Sequence, residues 1–324
     1  MLSKYDVKVD LANHQGISHA LHVDIDGANK PVLNVGCDTG YLGGALAALD
    51  NTTSGFEYNE TTAEEARKKL VRVETGDLEG TDLVALFGRA SFDVVVFGDV
   101  LEHLRDPLSV LRQARPLLGP GGSVLISTPN VAHGDVRLAL LSGRFDYNKL
   151  GILDETHTRF FTRDSLVAFL HDAGFVLADL QRTRAPMFGT EIGVVEAEYD
   201  PALVAKLRQD NEATTYQFVV RGVPDDASSL QSDQALLLDR LRGEVFQAGA
   251  KLAGHAQLVS EHGELTERVE ALDKRLADVF RAHDAAMSQR DQALAEVAAL
   301  RAKAALPPVS PLTQAKKALR RLGR

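Results

Sequence analysis

Tryptophan is absent from the 324 residues, and cysteine occurs once, at Cys37. A single thiol excludes an internal disulfide and the disulfide-stapled class of small secreted domain, and it points to a reducing compartment. No apolar run approaches the roughly 20 residues that a membrane-spanning helix needs. The opening stretch MLSKYDVKVDLANHQG lacks the apolar core of a signal peptide. The expected location is therefore the cytoplasm. Basic charge is also short: the net charge is −9, with 36 Lys and Arg against 45 Asp and Glu. An acidic body disfavours broad contact with a phosphate backbone, so no nucleic-acid partner is expected.

What is present is an alternation. From about 30 to 221, short β-rich runs exchange with helical patterns, which predicts an α/β, Rossmann-like fold: a seven-stranded, mostly parallel sheet with helices on both faces. The predicted strands are Pro31–Gly36, Thr53–Glu57, Val71–Glu74, Phe92–Phe97, Gly122–Ser127, Phe175–Gln181 and Thr215–Arg221. A domain is expected over residues 1–222 and a polar linker over 223–232.

Beyond the linker there is no proline until Pro307, and the strand signal is gone. Residues 233–305 read as a long helical extension. Leu265, Val269, Leu272, Leu276, Val279, Ala286, Ala293, Val297 and Leu300 follow alternating 4–3 spacing, the seam of a coiled coil, interrupted at His283 and Arg290. An earlier register through Leu238, Leu241, Val245, Ala248 and Leu252 is out of phase with it, so a break is expected near Val259–Gly263. A helix with such a stripe needs cover, and the expectation is a homo-oligomer joined through this extension, with folding back on the domain or a frayed helix as the alternatives. In the tail, 306–324, Lys316, Lys317, Arg320, Arg321 and Arg324 stand without any acid. That tail is a candidate for weak contact with an anionic membrane surface or an acidic partner.

The chemistry sits where the predicted strands end, since ligands of open α/β sheets bind beyond the carboxyl ends of the strands. VLNVGCDTGYLGG places Gly36 and Gly40 where backbone must approach a ligand closely, but it has neither the Lys–Ser/Thr pair of a phosphate loop nor the G-x-G-x-x-G of a dinucleotide fold. The second strand ends in Glu57, suited to a ribose diol. The third leads into Asp77 and Leu78, placed for an adenine edge. The fourth leads to Asp99, Val100, Glu102 and His103.

Together these segments resemble the class I S-adenosylmethionine-dependent methyltransferases over about residues 5–222. VLNVGCDTGYL resembles the family's first motif, Glu57 its ribose-binding acid, GDL its adenine-contacting segment, and FDVVVFGDVLEHLRDP with LLGPGGSVLISTPN its fourth and fifth strands. PNVAHGDVRLALLSGRFDY and GILDETHTRFF extend the likeness to bacterial members associated with glycan and secondary-metabolite assembly. The resemblance implies S-adenosylmethionine as cofactor, held by Asn34, Gly36, Cys37, Asp38, Gly40, Glu57, Tyr58, Asp77, Leu78, Asp99 and Val100. Asn34 stands where the family usually has an acid, and Asp38 where it usually has its middle glycine.

Methyl transfer to a hydroxyl benefits from a base, and His103 with His157 is the preferred pair, with Asp154 as a further catalytic candidate. His133 reads as an exposed loop histidine. Asn130–Phe161 is expected to form the acceptor wall and lid, where Arg137, Arg144 and Arg159 meet either an anionic substrate group or local acids. Asp99, Glu102, His103 and His157 are also similar to the divalent-metal site of small-RNA 3′-end 2′-O-methyltransferases, with Asp in place of the first Glu. A Mg²⁺ or Mn²⁺ ion is left open there, and no metal is committed. The expected activity is O-methylation of a small-molecule or glycan acceptor. The alternative is a degenerate cofactor-binding module whose extension serves as a scaffold in a glycan-assembly complex.

Overall fold

The computed structural model describes residues 28–225, 229–254 and 262–304. Seven strands form one sheet: β1 (Pro31–Val35), β2 (Thr52–Glu57), β3 (Arg72–Thr75), β4 (Phe92–Gly98), β5 (Leu118–Pro129), β6 (Phe175–Arg184) and β7 (Thr215–Pro224). Their order is β3-β2-β1-β4-β5-β7-β6. β1 to β5 pair in parallel, and β7 runs antiparallel between β5 and β6. The middle strands read as near-continuous apolar runs because both of their faces are covered: Val32, Leu33 and Val35 of β1, and Val95, Val96 and Phe97 of β4, have no exposed surface.

The helices between strands start where side chains can take up orphan backbone amides. They are α1 (Tyr41–Ala47), α2 (Glu60–Ala66), α3 (Leu83–Phe87), α4 (Pro107–Leu117), α5 (Gly134–Leu141), α6 (Arg163–Asp172) and α7 (Pro201–Leu207). Asn59 caps α2 through the Thr61 amide, and Asp82 caps α3 through the Val84 and Ala85 amides. Asp106 caps α4 ahead of Pro107, and Thr162 forms a reciprocal box with Ser165 at α6.

Two further helices follow, α8 (Ser229–Gly254) and α9 (His262–Ala304). The break expected near Val259–Gly263 lies mostly outside the described residues. α8 does not stand free as the expected extension would. Ala235, Leu238 and Leu241 are buried, and Asp239, itself 4% exposed, receives Arg182 at 2.6 Å and Arg163 at 2.7 Å. Arg242 pairs with Asp179 and donates to the Leu180 carbonyl of β6, while the Arg184 guanidinium lies 3.5 Å from the Phe246 ring centroid. α8 thus packs against the edge of the sheet at β6. The early register of Leu238 and Leu241 faces β6, which is why it does not continue the later seam. α9 carries that later seam as a helix of 43 residues. The basic tail lies outside the described residues. Among the described residues no helix is long and apolar enough to cross a membrane.

Over the acceptor side a second, smaller core joins Val136, Leu138, Ile152, Leu153, Met187 and Ile192. Buried Asp135 of α5 ties this layer down by accepting from the Phe188 and Thr190 amides and the Thr190 hydroxyl. The lid expected at Asn130–Phe161 is therefore a packed element: its two ends pair with each other as an isolated bridge.

Candidate functional site

The loop after β1 turns by adopting left-handed backbone at Gly36 (φ 70), Asp38 (φ 47) and Gly40 (φ 73). A Cβ at Gly36 would sit 2.5 Å from Val100 Cγ2, and one at Gly40 would sit 3.0 Å from the Ala66 backbone, so both glycines are required by space as well as by φ. Asp38 takes the same conformation as the glycine it replaces, which Asp tolerates better than most residues. The amides of Gly36 and Cys37 both donate to the Phe56 carbonyl, at 2.8 and 3.0 Å, fastening the loop to β2.

Glu57, at the end of β2, is aimed by backbone. Its Oε2 accepts from the Asp38 amide at 2.8 Å and its Oε1 from the Asn59 amide at 2.9 Å. A carboxylate offers about four acceptor positions, so each oxygen keeps capacity for a ligand hydroxyl. Tyr58 beside it is 78% exposed at the rim. Asp77 folds back to accept from the Glu79 amide, and Leu78 is buried below it, so Leu78 can present only backbone to a ligand. The Cys37 side chain is 1% exposed and packs against Gly55, and Asn34 is buried within β1. Burial first, and then Glu57, push the Cys37 thiol up to about 12, which removes it as a nucleophile.

Beyond β4, Asp99 also has a positive φ, 54. Its Oδ1 accepts from Ser127 Oγ of β5 at 2.9 Å and from Gln217 Nε2 of β7 at 3.0 Å. The next turn carries Glu102 and His103, and the lid segment is sewn to it. The Thr158 and Arg159 amides donate to the Glu102 carbonyl at 2.8 and 3.0 Å, and Thr158 Oγ1 donates to the Leu104 carbonyl. This brings His157 to His103, ring centroids 4.8 Å apart and edge to face.

The partners define the tautomers. Thr156 Oγ1 gives its one proton to Asp154 Oδ1 at 2.6 Å, so it accepts from His103 Nδ1–H at 3.0 Å. His157 Nδ1 lies 3.1 Å from the Ile152 carbonyl, which only accepts. Each ring therefore donates from Nδ1. Burial, and then His157, lower the His103 value below that of an ordinary histidine, which keeps the ring neutral at pH 7. Asp154, expected as a catalytic group, reaches His103 only through Thr156. Glu102 is 1% exposed, with Thr128 of β5 beside its carboxyl. Burial and the nearby Asp99 hold its carboxyl well above the usual range. Glu102, His103 and His157 offer one ligand atom each, all within 4.8 Å of one another.

Other expectations resolve differently. His133 is fully buried rather than an exposed loop residue: its Nδ1 accepts from the Asp135 amide at the start of α5, and Nε2 reaches the Ala185 carbonyl. Arg137 pairs with Asp210 and Arg144 with Asp146, while Arg159 donates to the Arg105 carbonyl. These arginines are engaged with the protein itself. Ser127, Gln217 and Thr156 were missed in the sequence because each acts through a contact made only when distant strands or loops meet. Thr156, inside DETHT, was the one with a local signal.

The sequence model of the family described as a methyltransferase domain matches residues 11–180, more than half of the chain. The chain belongs to this family. An enzyme of Thiobacillus denitrificans named ubiquinone biosynthesis O-methyltransferase is 30% identical over 189 residues, 56% of this chain and 80% of its own length. A protein of Mycolicibacterium smegmatis named as a probable S-adenosylmethionine-dependent methyltransferase is 30% identical over 178 residues, 55% of this chain and 63% of its own length. Among solved structures, an S-adenosylmethionine-dependent methyltransferase from Archaeoglobus fulgidus overlaps with a TM-score of 0.47 at 15% identity, covering 63% of this chain and 91% of that one. This methyltransferase uses S-adenosylmethionine. The residues fit that group: the cradle at Gly36 and Gly40 has no room for a Cβ, and the Glu57 carboxylate is pre-aimed at the rim.

Proposed function

We propose that this methyltransferase acts on a hydroxyl of a polar acceptor, a sugar, glycan or related metabolite. The observation that carries the reading is the pair of imidazoles, His103 and His157, held edge to face with the His103 Nδ1 turned to Thr156. The relatives named as O-methyltransferases support an oxygen acceptor.

Glu57 binds the ribose hydroxyls, the Gly36–Gly40 loop receives the methionyl part, and Asp38 adds negative charge near a cationic sulfur. Bound S-adenosylmethionine supplies an electrophilic methyl: the acceptor oxygen bonds to that carbon as the carbon–sulfur bond breaks, and its electron pair stays on sulfur. Alignment along that line accounts for much of the acceleration in such a displacement. The imidazole pair serves the hydroxyl proton, and the lid over 130–161 excludes water. Incubation with isotopically labelled cofactor and a panel of hydroxylated acceptors, read by mass spectrometry, tests the reading. A labelled O-methyl product is expected; transfer to nitrogen or carbon alone would overturn it.

We also infer that α9 associates with α9 of a second copy. Leu272, Leu276 and Val279 with Ala286 and Ala293 keep heptad spacing along one helix of 43 residues, and such a stripe is covered by a like partner. Sedimentation should show a dimer or higher state for the full chain and a monomer for a chain ending at Gly254. An unchanged state refutes it.

A further inference from the structure

Among the described residues up to 225, the exposed aromatic rings are Tyr58 at the cofactor rim and, in the lid, Phe145 and Tyr147. The lid pair stands edge to face, ring centroids 5.5 Å apart, with 38% and 56% of the two residues open to water. Neighbouring rings left in water mark a binding surface more than an accident of packing. The loop that bears them is fixed. Gly143 (φ 72) turns the chain after α5, and the Arg144 amide donates to the Ala139 carbonyl at 2.8 Å. The Asn148 amide donates to the Leu153 carbonyl, and the Asn148 carbonyl accepts from the Glu155 amide, both at 2.8 Å. Rings held in place in this way bind a ligand with little ordering cost.

The rings also continue inwards. Phe145 meets Phe160 at 5.7 Å, Phe160 meets His157 at 6.3 Å, and His157 meets His103 at 4.8 Å, each edge to face. One unbroken row thus leads from the imidazole pair to solvent. Charged groups alternate with its outer members along Arg144–Lys149. Arg144 lies 3.4 Å from Asp146, and Lys149 lies 2.5 Å from Glu155, both as surface pairs. Such pairs are weak and give way to a ligand's hydroxyls at small cost.

We propose that Phe145 and Tyr147 form a sugar-stacking shelf, a subsite for the pyranose unit next to the one that reaches His103 and His157. A pyranose matches both halves of the pattern. Its C–H bonds carry slight positive charge and lie against the negative face of an aromatic ring. Its hydroxyls project around the edge, towards carboxylate and guanidinium groups that make the stronger class of hydrogen bond. An acyl chain or an anionic membrane matches only the rings, because Asp146, with 74% of its side chain exposed, would be desolvated or repelled there. A nucleobase would stack as well, but the acidic body offers no track for its phosphates. The link from shelf to reaction rests on the hydroxyl-acceptor reading, and it makes acceptors of two or more sugar units bind better than one.

The test is saturation-transfer NMR on the full-length chain with maltotriose, cellotriose and mannotriose, each beside its methyl monosaccharide. Transfer to the ring C–H protons of at least one trisaccharide is expected, stronger than to its monosaccharide. Binding should be about tenfold weaker in Phe145→Ala and in Tyr147→Ala, and kept in Tyr147→Phe, which retains the ring. S-adenosylmethionine binding reports that each variant is folded. No transfer to any trisaccharide, or unchanged transfer in a folded double variant Phe145→Ala and Tyr147→Ala, overturns the shelf. So does binding to phosphatidylglycerol vesicles, in place of sugars, that the same double variant loses. A labelled O-methyl product without sugar binding removes the shelf and leaves the hydroxyl-acceptor reading standing. Shelf-dependent sugar binding without such a product does the reverse.

Discussion

Two regions of this methyltransferase concentrate charge, and they treat it in opposite ways. On the flank where α8 meets β6, every buried charge in the cluster has its counter-ion: Arg182 lies between Glu212 and Asp239, Arg163 also reaches Asp239, and Arg242 holds Asp179. At the open end of the sheet, Glu57 is aimed by two backbone amides, Asp99 accepts from Ser127 and Gln217, and Asp38 and Asp99 accept left-handed backbone. The flank matches charge with counter-charge, whereas the open end orients its carboxylates by neutral donors.

Removing charge in the two places should therefore give opposite phenotypes. The largest effect is expected for Asp239→Ala, which removes a buried carboxylate shared by two guanidinium groups and leaves Arg182 with Glu212 and Arg163 with Asp164 alone. Breaking a buried ion pair from one side costs about 3–5 kcal/mol, so chemical denaturation should show a loss of that order, while cofactor affinity of the folded fraction stays unchanged. Weakened cofactor binding in that variant would break the comparison. Glu57→Gln should do the reverse. Losing charged acceptance of two ribose hydroxyls costs about 1.5–3 kcal/mol per bond, so calorimetry should register at least tenfold weaker S-adenosylmethionine binding with little change in melting temperature. An unaltered affinity would show that Glu57 faces no ribose.

Smaller effects sharpen the contrast. His133 is buried and held below the usual histidine value, mainly by that burial. The unfolded chain therefore takes up the proton first, and stability is lost as pH falls below about 6.5. His133→Asn keeps a side-chain acceptor for the Asp135 amide, so its stability should vary less between pH 7 and pH 5 than that of the parent. Smallest of all, Phe246→Leu removes the ring under Arg184 while keeping an apolar side chain, and should cost about 1 kcal/mol. A loss several times larger would mean that α8 is held more through this one contact than through Asp239.

Much of the fold was legible because buried parallel strands leave unmistakable runs: VLNV and FDVVVFG could lie nowhere else. The insertion of antiparallel β7 between β5 and β6 was not legible, since strand order is a property of pairing and no local residue records it. The stripe of α8 was read as an earlier register, out of phase with the seam that follows. Periodicity tells that Leu238 and Leu241 are covered, and only the tertiary structure tells that β6 covers them. At the site, Gly36, Gly40 and Glu57 could be found because motif spacing survives in one dimension. The pairing of His103 with His157 was also anticipated. Its physical basis, the attachment of Thr158 and Arg159 to the Glu102 carbonyl, became visible only in three dimensions.

The placement of α8 has a practical corollary for anyone shortening this protein. β6 is the outermost strand of its sheet, and Arg242 occupies its Leu180 carbonyl. A chain stopped ahead of Ser229 would bare that border, ready to recruit strands from its neighbours. Its expected fate is insoluble self-association rather than a tidy catalytic fragment, so Gly254 is the better place to cut.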